Sequence, residues 1–120
     1  MHYSKLTIGY ETPQVYFTLV ALVVRPLNAY SICQQVGVDS GGVIIIRPSS
    51  MWHILRRLQR RRLIKPLDDD QPGRPVRCSL VRAGHQIVAR EAGHYQLAAN
   101  AGYWALKGRQ ASRSVGTLEI

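Results

Sequence analysis

SSMWHILRRLQRRRLIKPLDDDQPGRPVRCSLV, residues 49–81, joins a basic amphipathic helix to a hairpin. Met51, Ile54, Leu55 and Leu58 recur at helical spacing and cluster on one side, while His53, Arg56, Arg57 and Arg60 gather on the other. The pattern predicts a helix running to about Arg62, with Ser49 or Ser50 as its N-cap. Leu63 to Leu67 then reads as a strand, which Pro66 marks as an edge or a distorted one. Asp68 to Pro75 is rich in Asp, Gly and Pro and reads as a turn, after which Val76 to Val81 returns as a second strand.

Upstream, Thr12-Pro13 gives a helix start, a hydroxyl at the N-cap and proline at the first helical position. Val15 to Val24 is apolar nearly all round, broken only by Thr18. Its β-branched content also suits a buried strand, but the Thr-Pro start and the Arg25-Pro26 stop favour a buried helix. Asn28 caps a second helix whose stripe is Ala29, Ile32, Cys33 and Val36, with Gly37 placed to close it. Asp39 to Gly42 reads as a turn and Val43 to Ile46 as a short strand. Downstream, Arg82 to about Gly108 is one long helical pattern. The expected fold is α+β and mostly helical: a winged helix-turn-helix over 12–81 and a long C-terminal dimerisation helix over 82–108. Residues 1–11, without a clear period, form an N-terminal arm, and the polar residues 109–120 a mobile tail.

In that architecture the third helix enters the DNA major groove. Ser49 and Ser50, with the free N–H groups of the first turn, offer a seat for a phosphate. Arg56 or Arg57 suits a guanine edge, and His53 and Arg60 suit phosphates. Arg74 near the hairpin tip and Arg77 on its return strand add phosphate or minor-groove contacts. Asp68, Asp69 and Asp70 would repel a phosphate backbone at the contact and are placed on the solvent side of the wing. The bland alternative is a solvated basic face on a structural helix.

The composition agrees with an anionic partner: sixteen Lys and Arg oppose seven acids, for a net charge of +9. Arg outnumbers Lys, and its planar fork matches phosphates and guanine edges. Acidic proteins and lipid surfaces would also attract such a charge. At 120 residues the chain is one domain with one modest core. Cys33 and Cys78 lie far apart in apolar segments, where reduced core thiols are the simpler assignment. The apolar run ending at Val24 is about half of what a bilayer span needs, and its flanks do not suit a signal peptide, so a cytoplasmic location is expected. His2, His53, His85 and His94 have no metal-ligand spacing with the cysteines, and no catalytic motif occurs. Neither a metal, a cofactor nor an enzyme is expected.

Residues 12 to about 108 resemble the PadR family of transcriptional regulators, the small subtype with one long C-terminal helix. Its His-Gly-Tyr-x-Ile stretch is matched by Asn28-Ala29-Tyr30-Ser31-Ile32, and its Gly-Thr-Leu-Tyr-x-x-Leu by Ser49-Ser50-Met51-Trp52-His53-Ile54-Leu55. Leu-x-x-x-Gly-Leu-Ile becomes Leu58-Gln59-Arg60-Arg61-Arg62-Leu63-Ile64. The wing's Gly-Arg-Pro is Gly73-Arg74-Pro75, and Leu-Thr-x-x-Gly is Leu80-Val81-Arg82-Ala83-Gly84. Arg62 stands where the family has glycine, Val81 where it has threonine, Trp52 where it has tyrosine, and Cys78 where it has an aromatic. The resemblance implies a homodimer that binds operator double-stranded DNA and represses, in some members relieved by a small aromatic or hydrophobic effector.

Two further sets of residues follow from the long helix. Val88, Ala92, Tyr95, Ala99, Gly102 and Leu106 alternate at spacings of four and three, the seam of a helix pairing with another helix. The same stripe would also suit packing on the chain's own first helix. Tyr95, Tyr103 and Trp104 are candidates for an effector pocket in a dimer, or for plain dimer-core packing. The main alternative to DNA reading is a winged helix kept as a protein-binding module. A single-strand or RNA binder fits less well, because the aromatics lie mostly in core-patterned helices.

Overall fold

The computed structural model describes residues 11–68 and 72–119, with side chains as far as residue 111. Asp69, Asp70 and residues 1–10 of the arm lie outside the described residues.

Helix α1 spans Pro13–Ala21, and the Thr12 side chain accepts from the Val15 N–H as its cap. It ends three residues short of Val24: Leu22 is its C-cap, and the chain turns before Arg25-Pro26. Thr18 is fully buried, and its hydroxyl donates to the Gln14 carbonyl one turn back, so the polar break in the apolar run is satisfied within the helix. Strand β1 is the pair Leu27–Asn28, and Asn28 then caps α2, Ala29–Asp39, accepting from the Ser31 N–H at 2.9 Å. Gly37 lies inside α2 rather than closing it. The helix stops at Ser40 because Gly41 takes the left-handed conformation at φ +63°.

Val43 to Ile46 forms no strand: it opens on a bend at Val43, with the Val43 and Ile44 N–H groups bonded back to Ser40. Ile46 is buried while Val43 and Ile45 face solvent, so the alternation of a strand is present without a ladder. The place beside the hairpin goes to Leu27–Asn28 instead: β1 (Leu27–Asn28) and β2 (Ile64–Pro66) flank the central strand β3 (Arg77–Leu80) in an antiparallel sheet ordered β1-β3-β2. Leu27 faces Cys78, and Ile64 faces Leu80. Pro66 sits on the edge strand β2, where its missing N–H costs no ladder bond.

Helix α3 spans Pro48–Arg60. Neither serine caps it: Arg47 is the N-cap, without a side-chain cap bond, and Pro48 opens the helix, leaving Ser49 and Ser50 in the first turn. The Pro48 ring sets the helical φ in advance, so the boundary falls before the serines. Arg62 adopts φ +58° at the helix end. Its N–H bonds the Gln59 carbonyl and the Leu63 N–H bonds that of Leu58, a full Schellman end. Leu58 and Leu63 are both buried, the apolar contact that accompanies the motif. Arginine therefore holds the left-handed position that glycine favours.

Helix α4 spans Arg82–Glu119, 38 residues and about 57 Å at helical rise. It passes Gly108, beyond which a tail was expected, because no proline follows and one glycine costs a helix only about 1 kcal/mol. Gly84 seats its first turn: a Cβ there would lie 2.4 Å from the Leu63 carbonyl oxygen and 2.5 Å from Leu80 Cδ1. The core gathers Leu19 and Leu22 of the α1 segment, Ile32 and Val36 of α2, Met51, Leu55 and Leu58 of α3, and Ile64, Cys78 and Leu80 of the sheet.

Candidate nucleic-acid interface

Met51, Leu55 and Leu58 pin α3 to the core, and this fixes what its other faces present. At about 100° per residue, Ser49, Ser50, Arg56, Arg57 and Arg60 all point within about 60° of His53. All six are exposed. The face carries no acid and is four residues of cationic or titratable donors following two hydroxyls, a surface of donors only toward phosphate and guanine acceptors.

The two flanks of α3 do different work. On one flank Trp52, about half exposed, and Gln59 border a cleft of about 210 Å³ with Ala29, Val76 and Cys78, against the sheet. Cys78 is buried there, and burial raises its thiol pKa, with a Gln59 hydrogen bond acting in the opposite direction. Cys33 and Cys78 are both free thiols. Arg74 is exposed beside Gly73, whose φ of +86° turns the wing, and Arg77 is exposed on β3. Arg47 and Lys65, which the sequence pattern did not single out, are exposed cations on α3's N-cap and on β2.

The other flank of α3 carries a cluster that sequence reasoning missed. Arg61, the C-cap, donates to both Glu11 oxygens at 2.8 and 2.9 Å. This bond depresses the Glu11 pKa and raises that of Arg61. The Glu11 N–H donates to Glu91 Oε1, and the Tyr95 hydroxyl donates to the Glu11 carbonyl at 2.8 Å. Glu91 is fully buried and also meets His94 Nδ1 at 2.9 Å and Arg90 Nε at 3.7 Å. Of the run Arg60-Arg61-Arg62, one side chain joins the donor face, one is committed to Glu11, and one occupies the helix end. Glu91 follows Ile87 by four residues and precedes Tyr95 by four, so its spacing marked the buried face while its charge argued against it.

That spacing also revises the stripe on α4. The face turned inward is Gly84, Ile87, Val88, Glu91 and Tyr95, whereas Ala92 is exposed. Val88 packs against the core, and the Tyr95 ring lies 4.7 Å from that of Tyr16 on α1. Burial raises the Tyr95 pKa, and the neighbouring Glu91 adds to this. Val88 and Tyr95 of the expected seam are therefore used within the chain. Ala99, Gly102 and Leu106 remain exposed on the outer half, with Leu97, Tyr103 and Trp104. The three aromatics proposed for an effector do not converge: Tyr95 faces α1, while Trp104 projects from the opposite side of the helix with Lys107 Nζ 5.4 Å from its ring centroid. Among the described residues no cluster of His, Cys, Asp and Glu could hold a metal, and no helix is long and apolar enough to cross a membrane.

No family model matches the sequence, and no curated protein does. Solved structures do match. A PadR family transcription regulator from Clostridium difficile R20291 superposes with a TM-score of 0.63 at 16% identity, over 77% of this chain and 96% of that one. The chain shares its winged-helix fold with that regulator. A transcriptional regulator from Clostridium thermocellum, Cth-833, matches with a TM-score of 0.64 at 15% identity, over 82% and 94% of the two chains. PadR of Bacillus subtilis, solved in complex with operator DNA, gives 0.56 at 18% identity over 66% of this chain, which spans under half (45%) of that protein. In this winged-helix fold α3 is the third helix and β2–β3 the hairpin that follows it.

Proposed function

We propose that this chain is a sequence-specific double-stranded DNA-binding transcriptional regulator, a repressor that acts as a homodimer on a near-palindromic operator, and not an enzyme. The observation that carries this is the acid-free donor face of Ser49, Ser50, His53, Arg56, Arg57 and Arg60 on a helix locked to the core by its opposite side. Arg56 and Arg57 read base edges in this role, and His53, Arg60, Arg74 and Arg77 hold phosphates. The outer half of α4, with Ala99, Gly102 and Leu106, supplies the surface for a second copy. Two copies place two α3 helices on half-sites about one DNA turn apart. A planar apolar effector of that dimer would lie against Tyr103, since Trp104 points away from the Ala99, Gly102 and Leu106 surface. The deciding experiment is selection of duplexes from a random pool at physiological salt. A recurrent inverted repeat is the expected result. Weak, sequence-indifferent binding would point instead to a winged helix that serves as a protein-interaction module.

A further inference from the structure

Three separate parts of the chain meet at Glu11. Its carboxylate takes both terminal nitrogens of Arg61 from the end of α3, its N–H goes to the buried Glu91 of α4, and its carbonyl takes the Tyr95 hydroxyl of α4. One residue later Thr12 caps α1. We propose that Glu11 is a positioning residue for DNA reading, tying the last turn of α3 to α4 and so setting where the reading helix stands relative to the helix through which two copies pair. This rests on the DNA-reading and dimer roles proposed above.

The geometry supports more than an incidental surface pair. A bidentate guanidinium–carboxylate contact fixes orientation as well as distance, which a single ammonium cannot do. The Glu11 side chain is 11% exposed, so the pair is shielded from solvent on the glutamate side. Glu91 has no exposure at all, and a buried carboxylate that loses a hydrogen-bond donor is strongly disfavoured. Glu11 therefore resists displacement from α4, and Arg61 inherits that fixity. The place it holds also needs holding. Beyond Leu58, the last core residue of α3, the chain reverses through the left-handed Arg62, and the strain there favours fraying of the final turn. A dimer that grips two half-sites depends on both α3 helices being placed together, whereas a single half-site does not.

The test uses the full chain with Glu11→Gln and Arg61→Lys, the second keeping every charge. Without DNA, amide hydrogen exchange is followed at Arg61, Arg62 and Leu63, whose N–H groups close the end of α3. In both variants these amides should exchange about fivefold faster, while those of α1 and α2 stay within about twofold. With DNA, affinities are measured for the selected operator, for operators with the half-sites moved one base pair closer or farther, and for one half-site. The variants should lose about tenfold in the ratio of native-spacing to shifted-spacing affinity, with single half-site affinity within about twofold. Unchanged exchange overturns the tie. Faster exchange with an unaltered spacing ratio overturns the positioning role. If the wild type selects no duplex, DNA reading itself fails, and the exchange result still judges whether Glu11 fixes α3.

Discussion

Replacing Arg62 with glycine should make the protein more stable, although it adds no contact. Arg62 sits at φ +58° with Leu63→Leu58 and Arg62→Gln59 backbone bonds formed around it. A side chain in this conformation costs about 1–2 kcal/mol because its Cβ crowds the backbone. Glycine removes that strain but is freer in the unfolded chain, which takes back about 0.4–1 kcal/mol. The net gain is about 0.8 kcal/mol, the middle of a range of about 0–1.6. For a chain of 120 residues, unfolding entropy near the midpoint makes this about 2–4 °C in Tm. The chain contains its own control, since α2 ends in the same arrangement with glycine in the left-handed position: Gly41 bonds Val38, and Gly42 bonds Gly37. Gly41→Ala should therefore lower Tm by a similar amount. Urea and thermal unfolding of both variants check the pair. An Arg62→Gly protein with unchanged or lower Tm, beside a Gly41→Ala protein that is clearly destabilised, would refute the strain assigned to Arg62.

Gly84→Ala should destabilise by about 1–3 kcal/mol despite a helix-propensity gain of about 1, because the new Cβ meets a backbone oxygen at 2.4 Å. That oxygen already accepts from Val81 at 3.0 Å and cannot yield without loosening the α4 start; calorimetry reads the loss. Arg57→Ala should cost about 1–3 kcal/mol on the selected operator and relax preference at particular base pairs, whereas Arg74→Ala should weaken all sequences alike and lower the salt slope by about one ion. Fluorescence anisotropy across a salt series separates the two, and equal losses on every sequence for both would displace α3 from the reading role. Ala99→Asp places a carboxylate on the outer half of α4 and should give monomers in sedimentation, with Tm of the monomer body retained; an intact dimer would move the interface elsewhere. The Glu11 pKa is depressed, so its bond to Arg61 contributes stability above the ordinary glutamate range, and that contribution is lost as pH falls below about 4.3 through the folded-state value. Arg61 is 44% exposed, so the contribution is about 1 kcal/mol or less. The stability difference between wild type and Glu11→Gln should accordingly shrink toward zero in acid, and a difference independent of pH would exclude the carboxylate as its source.

Local chemistry was enough to reveal α1, α2, α3, the hairpin and the long helix. Thr12 and Asn28 cap because their side chains reach N–H groups two or three residues on, and the α3 wheel sorts into core and donor faces because a helix repeats every 3.6 residues whatever surrounds it. Pro66 marked an edge strand for an equally local reason. What required the tertiary structure were pairings between distant segments. Val43 to Ile46 has the residues of a strand, but its first N–H groups bond back to Ser40, and Leu27–Asn28 takes the place beside β3. Glu91 has the spacing of a core position and the charge of a surface one. His94 bonds it from the next turn of α4, but the second hydrogen bond that lets it be buried comes from the distant Glu11 N–H. Because burial of a charge depends on partners eighty residues away, the pattern along α4 pointed to Ala92 instead and carried the seam through Val88 and Tyr95, which α1 in fact covers. Periodicity assigns a face to a helix; which neighbour that face meets is set by the packing of the whole chain.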